Sequence, residues 1–93
     1  MRNFIENKTV LITGATSGIG ERLAIDLIDY NVDLVLVARN MQKLQDLENS
    51  LQDKYSNKIS VYKLDVRNRI EVESTISEIL KNQTIDFLIN NAG

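Results

Sequence analysis

Thr9-Val10-Leu11-Ile12-Thr13-Gly14-Ala15-Thr16-Ser17-Gly18-Ile19-Gly20-Glu21 is an apolar run that breaks at glycines and then resumes with helical spacing. Residues 8–13 carry the β-branched side chains of Thr9, Val10, Ile12 and Thr13 and no glycine, which suits a short strand buried on both faces of a parallel sheet. Gly14 ends it. Beyond the turn, Ile19, Leu23 and Leu27, with Ala24 and Ile28, recur at three or four residues and predict one apolar stripe on a helix beginning near Gly18. Such a turn leaves the first helical N–H groups unpaired and aims the positive end of the helix dipole at its mouth, an arrangement that favours a phosphate. Gly14 can take backbone angles closed to other residues, Gly18 removes a side chain that would block a pyrophosphate, and Gly20 lets helix and strand pack closely. The spacing is G-x-x-x-G-x-G, not G-x-G-x-x-G, and it lacks the G-K-[ST] ending of a nucleoside-triphosphate loop. A glycine-rich strand-to-helix turn with no ligand fits the same residues.

Working outward, Val32 to Ala38 is a second apolar run of strand length, with Asn31 as the turn residue before it. Asn40 is placed to cap a helix over Met41 to Tyr55, whose Met41, Leu44, Leu47 and Leu51 fall on one side. Lys58 to Leu64 reads as a third strand that stops at Asp65. Asn68 and Glu71 have capping-box spacing for a third helix with Val72, Ile76, Ile79 and Leu80 as its buried stripe, and Thr84 to Ile89 is a fourth strand. Strands and helices therefore alternate over a single unit, residues 1–93, and predict an α/β fold with a parallel sheet. If the first three strands step outward and the fourth returns beside the first, the order is 3-2-1-4. The first two helices then share one face and the third covers the other. The ligand site of such a sheet lies where the order reverses, between Gly14 to Gly20 and Asn91 to Gly93.

Composition narrows the chemistry. With no cysteine and no histidine there is no disulfide framework, no thiolate metal site and no imidazole. A formal charge of −2, with basic and acidic residues interspersed, provides no basic footprint for nucleic acid. No window is apolar enough for a membrane helix and the charged residues 1–8 do not resemble a secretory signal, so a cytoplasmic protein is expected.

Thr13-Gly14-Ala15-Thr16-Ser17-Gly18-Ile19-Gly20, Asp65-Val66 and Asn90-Asn91-Ala92-Gly93, in this order and spacing, resemble the amino-terminal half of a short-chain dehydrogenase/reductase, and the similarity covers all 93 residues. The resemblance implies a partial Rossmann-type sheet of four strands in the order 3-2-1-4 with three helices. It also implies an NAD(P)-dependent oxidoreductase that moves hydride to or from a carbonyl/alcohol pair. By that resemblance Gly14, Thr16, Ser17, Gly18, Ile19 and Gly20 would hold the pyrophosphate. Asp65 and Val66 would meet the adenine, and Asn91, Ala92 and Gly93 would border the adenosine ribose. Without it, Asp65 also reads as the end of a strand and Asn91-Ala92-Gly93 as a turn.

Cofactor choice follows from charge. NAD-binding domains of this type place an acid at the end of the second strand, whereas an arginine nearby accommodates a 2′-phosphate. Ala38-Arg39 occupies that position with no acid beside it, so NADP is expected in preference to NAD; a solvated loop arginine is the plain alternative for Arg39. NADP-preferring members of the family often carry a second basic residue just before the middle glycine, where this chain has Ser17.

The family's serine, tyrosine and lysine, the last two separated by one helical turn, are not met here. Four residues after Tyr30, Tyr55 and Tyr62 stand Leu34, Ile59 and Val66. No catalytic residue and no metal ligand is assigned, and the chain is expected to be truncated before the catalytic segment and inactive alone. A half-covered sheet whose fourth strand is an open edge, with Phe87 and Ile89 on a partly exposed apolar face, is expected to self-associate. The other function classes open to these residues are a non-catalytic dinucleotide-binding module and an inactive remnant. A reading frame that continues into Tyr-x-x-x-Lys would mark the enzyme, and NADPH titration would separate the module from the remnant.

Overall fold

The computed structural model describes residues 4–91. Its elements run β1 (Thr9–Thr13), α1 (Gly18–Leu27), a short 3-10 turn (Ile28–Tyr30), β2 (Asp33–Ala38), α2 (Met41–Gln52), β3 (Ile59–Lys63), α3 (Arg69–Asn82) and β4 (Phe87–Asn90). All strand pairs are parallel, as the alternation predicts, and the sheet order is β3-β2-β1-β4, the order implied by the family resemblance. No helix among the described residues is long and apolar enough to cross a membrane.

Alternate strand residues divide the core into two layers. Val10, Ile12, Leu34, Leu36 and Ile59 pack against Ala24 and Ile28 from the first helical segment and against Leu44, Leu47 and Leu51 of α2. On the opposite face Leu11, Val35, Val37 and Leu64 meet Ile79 of α3. Thus α1 and α2 share a face and α3 holds the other. The central strand β2 is buried nearly throughout, which is why its run shows no polar alternation.

Two expected stripe residues are not buried. Ile19 is 71% exposed, because it lies in the first turn of α1 and helical side chains lean toward the N-terminus, carrying it off the end of the sheet. Leu80 is 56% exposed. The buried line of α3 runs through Val72, Ile76 and Ile79, and Leu80 lies about 100° around the helix from Ile79.

The apolar exposure on β4 also falls elsewhere than expected. Phe87 and Ile89 stand level with Val10 and Ile12 and pack against the larger core layer, where Phe4 meets Phe87 edge-on with centroids 5.9 Å apart. Leu88, level with Leu11 on the α3 side, is the exposed residue at 64%. The strand begins at Phe87 and not at Thr84, since the Asp86 carboxylate takes the Thr9 N–H at 2.8 Å in place of a ladder carbonyl. Helix α2 stops at Gln52 and not at Tyr55, with the Gln52 side chain donating to the Tyr55 and Asn57 carbonyls.

Candidate functional site

At the carboxyl end of β1 the chain turns through Gly14, whose φ of 63° lies in the left-handed region that glycine adopts at no cost. Ser17 then caps α1: its hydroxyl donates to the Gly14 carbonyl at 2.8 Å and accepts from Gly20 N–H at 3.4 Å. The Gly14 carbonyl also accepts from Ser17 N–H at 3.1 Å and from the Asn91 amide at 3.1 Å. The same Asn91 nitrogen reaches Ser17 Oγ at 2.8 Å, and Asn91 N–H donates to Thr13 Oγ1 at 3.0 Å. The end of β4 is thereby tied to the glycine turn.

Close packing explains one glycine and not another. A Cβ on Gly20 would sit 2.1 Å from the Gly14 carbonyl oxygen and 2.8 Å from Asn91 Nδ2, so helix and turn meet only because it is absent. A Cβ on Gly18 would meet nothing within 4 Å. That position opens outward beside the first-turn N–H groups of α1, which have no acceptor within the helix, where the helix dipole favours an anion.

Gly14, Thr16, Ser17, Arg39, Asp65, Val66 and Asn91 line one open cleft of about 890 Å³ across the carboxyl ends of the strands. Gly18, Ile19 and Gly20 belong to the first turn of α1 and are not part of that lining. Ala92 and Gly93 lie outside the described residues.

The cleft also gathers cations that motif reading did not assign to it. Lys43 sits in the first turn of α2, behind Asn40, whose Oδ1 accepts Lys43 N–H at 3.0 Å. Lys63 ends β3 level with Ala38, next to Arg39. Both lysines line the cleft with Arg39 and Arg67, and among the described residues the side chains of Arg39, Lys43 and Lys63 make no hydrogen bond or ion pair. The signal for Lys43 was its place one turn into the capped helix; Lys63 needs the β2–β3 register.

Among the described residues Asp65 is the one acid lining the cleft. Its Oδ1 accepts Arg67 N–H and Nε at 3.0 Å each, and its Oδ2 accepts Arg67 Nη2 at 3.0 Å. The Arg67 side chain, then its backbone N–H, with a smaller contribution from the Arg39 charge, hold the Asp65 carboxyl down at about 2. Glu71 completes only half of the expected capping box. Its N–H goes to Asn68 Oδ1 at 3.1 Å, but its carboxylate accepts Asp65 N–H at 3.1 Å and so braces the loop beside the cleft.

A parallel sheet with a glycine turn at its reversal point and a polar cleft above it defines a Rossmann-type, dinucleotide-binding class of domain. Residues 8–93 match the family model described as short chain dehydrogenase, and the chain belongs to that family. It is 37% identical over 91 residues to the NADP-dependent 3-hydroxy acid dehydrogenase of Schizosaccharomyces pombe, covering 96% of this chain and 35% of that protein. Among solved structures, L-sorbose reductase from Gluconobacter frateurii, complexed with NADPH and L-sorbose, superposes with a TM-score of 0.89 at 31% identity, over 96% of this chain and 34% of that one. NAD+-bound xylitol dehydrogenase superposes equally well, with a TM-score of 0.89 at 30% identity over 98% of this chain and 35% of that one. The chain therefore spans about a third of the length of each of these three proteins.

Proposed function

We propose that the cleft holds the adenosine end of a dinucleotide, NADP in preference to NAD, and that these residues supply the cofactor-binding part of an oxidoreductase. The observation that carries the preference is the trio Arg39, Lys43 and Lys63, unpaired among the described residues at the cleft, beside a single acid already neutralised by Arg67. A 2′-phosphate brings two negative charges to such a place, whereas the ribose hydroxyls of NAD call for an acceptor carboxylate there. Lys43 and Lys63 would supply the second basic contact that Ser17 does not, since the Ser17 hydroxyl is engaged with Gly14 and Asn91.

In this reading the N–H groups at Gly18 and Ile19 receive the pyrophosphate, with Gly14, Thr16, Ser17 and Gly20 shaping the turn. Asp65 and Val66 receive the adenine, and Asn91, Ala92 and Gly93 border its ribose. The bound cofactor supplies hydride chemistry toward a carbonyl or alcohol. The chain's own residues bind and orient it; none of its tyrosines has a lysine four residues on, and inactivity of the 93 residues alone is part of the proposal. A cytoplasmic place, which the cysteine-free sequence suits, and self-association through the β4 edge, where Leu88 is exposed, belong to the same proposal.

The test is Arg39→Asp. NADPH binding, followed by titration, should weaken by about 2 kcal/mol, the lower end for loss of a hydrogen-bonded charge pair, with NADH affected far less. Equal losses for both cofactors would sink the charge reading.

A further inference from the structure

Asp65 is more constrained than a residue at the end of a strand needs to be. An ionised carboxylate offers about four acceptor positions. Arg67 fills two on Oδ1 and one on Oδ2, each at 3.0 Å, which leaves one position, on Oδ2. The backbone of Asp65 is held as well: its N–H donates to Glu71 Oε1 at 3.1 Å and its carbonyl accepts Asn68 N–H at 3.0 Å. Glu71 is itself anchored through its N–H to Asn68. The result is a carboxylate with fixed orientation, on a residue that lines the cleft, able to accept one more hydrogen bond. Arg67 contributes little to burial, its side chain being 74% exposed, so the pair is not explained by packing.

We infer that Arg67 is a positioning residue for base recognition: it presents Asp65 Oδ2 as a single acceptor for the exocyclic amino group of a 6-aminopurine. The inference rests on reading the cleft as the adenosine site. It adds that selectivity for the amino group depends on Arg67, a residue that itself need not touch the base. The guanidinium fork matters because it fixes both carboxylate oxygens at once, which an ammonium cannot do.

Binding of NADPH and of its analogue carrying unsubstituted purine in place of adenine, measured on the full chain, tests this. The analogue lacks only the 6-amino group. The unmodified protein should bind NADPH at least about tenfold more tightly than the analogue, the effect of one charge-assisted hydrogen bond. In Arg67→Gln that ratio should fall toward the value in Asp65→Asn, and in Arg67→Lys it should be intermediate; the ratio cancels any loss of charge at the cleft or of stability, which weakens NADPH and its analogue alike. A structural role alone would not move the base ratio. If both Arg67 variants keep the original ratio, the inference is overturned and the cofactor reading stands. If the unmodified protein shows no saturable NADPH binding, the cofactor reading falls and the inference with it.

Discussion

Along the amino ends of the strands, Asn7, Asn31 and Asn57 form a hydrogen-bonded chain, whereas along the carboxyl ends the side chains of Arg39, Lys43 and Lys63 make no hydrogen bond or ion pair among the described residues. At the first end, Asn31 Nδ2 donates to Asn7 Oδ1 at 3.0 Å, and Asn57 Nδ2 donates to the Val32 carbonyl at 2.8 Å. Asp33 accepts Lys58 N–H at 3.0 Å, and Tyr55 donates its phenolic proton to Asp29. Asn7 and Asn31 adopt φ of 67° and 60°, a region asparagine tolerates better than most residues. These side chains satisfy backbone groups that the ladder leaves open, which fixes the connections at that end. At the other end like charges stand together, and Asp65, the acid beside them among the described residues, is engaged by Arg67. The difference separates polar groups that stabilise the fold from charged side chains that make no such bond among the described residues, the ones the proposed cofactor would engage.

Asn57→Ala should break this comparison most strongly. Removing the donor to the Val32 carbonyl leaves a half-buried acceptor without its partner, at a cost of about 1 to 2 kcal/mol. Denaturant unfolding should show that loss while NADPH affinity stays as it was; a parallel loss of affinity would mean that the two ends are coupled. Lys63→Gln should give the converse. Stability should change by less than about 0.5 kcal/mol, as for an exposed substitution without a partner, and NADPH affinity should fall with a shallower dependence on salt. Unaltered salt dependence would remove Lys63 from the phosphate site.

Titration should separate the ends by sign. The folded-state carboxyl of Asp65 is lowered from 3.8 to about 2, so its contribution is fully present above pH 3.8 and is lost as pH falls through about 2. The Tyr55 phenol is raised above its usual 10.0 by the hydrogen bond to Asp29. Its contribution is therefore present below pH 10.0 and is lost as pH rises through the higher folded value. Carboxyl and ring chemical shifts, followed by NMR at each extreme, should show the cleft end releasing its pair in acid and the opposite end in alkali. An Asp65 midpoint near 3.8 would show that Arg67 does not hold it in solution.

Much of the architecture was legible before any coordinates. The order β3-β2-β1-β4 was legible through the family resemblance, while the β-branched run before Gly14 and the caps at Asn40 and Asn68 specify the alternating elements. These signals act within a turn or so of chain, where propensity, capping and periodicity operate. Arg39 was legible for the same reason, standing directly after a strand. Only tertiary structure placed Lys63 beside Ala38, because that pairing depends on the register of two strands more than twenty residues apart in sequence. Tertiary structure likewise put Leu88, not Phe87 or Ile89, on the exposed face, since a strand's alternation says which residues share a side but not which side a helix covers. Arg67 is only two residues from Asp65, yet adjacency did not reveal their pairing. An exposed guanidinium has many rotamers, and the bracing of Asp65 by Glu71 and Asn68 makes the carboxylate a fixed target for this one.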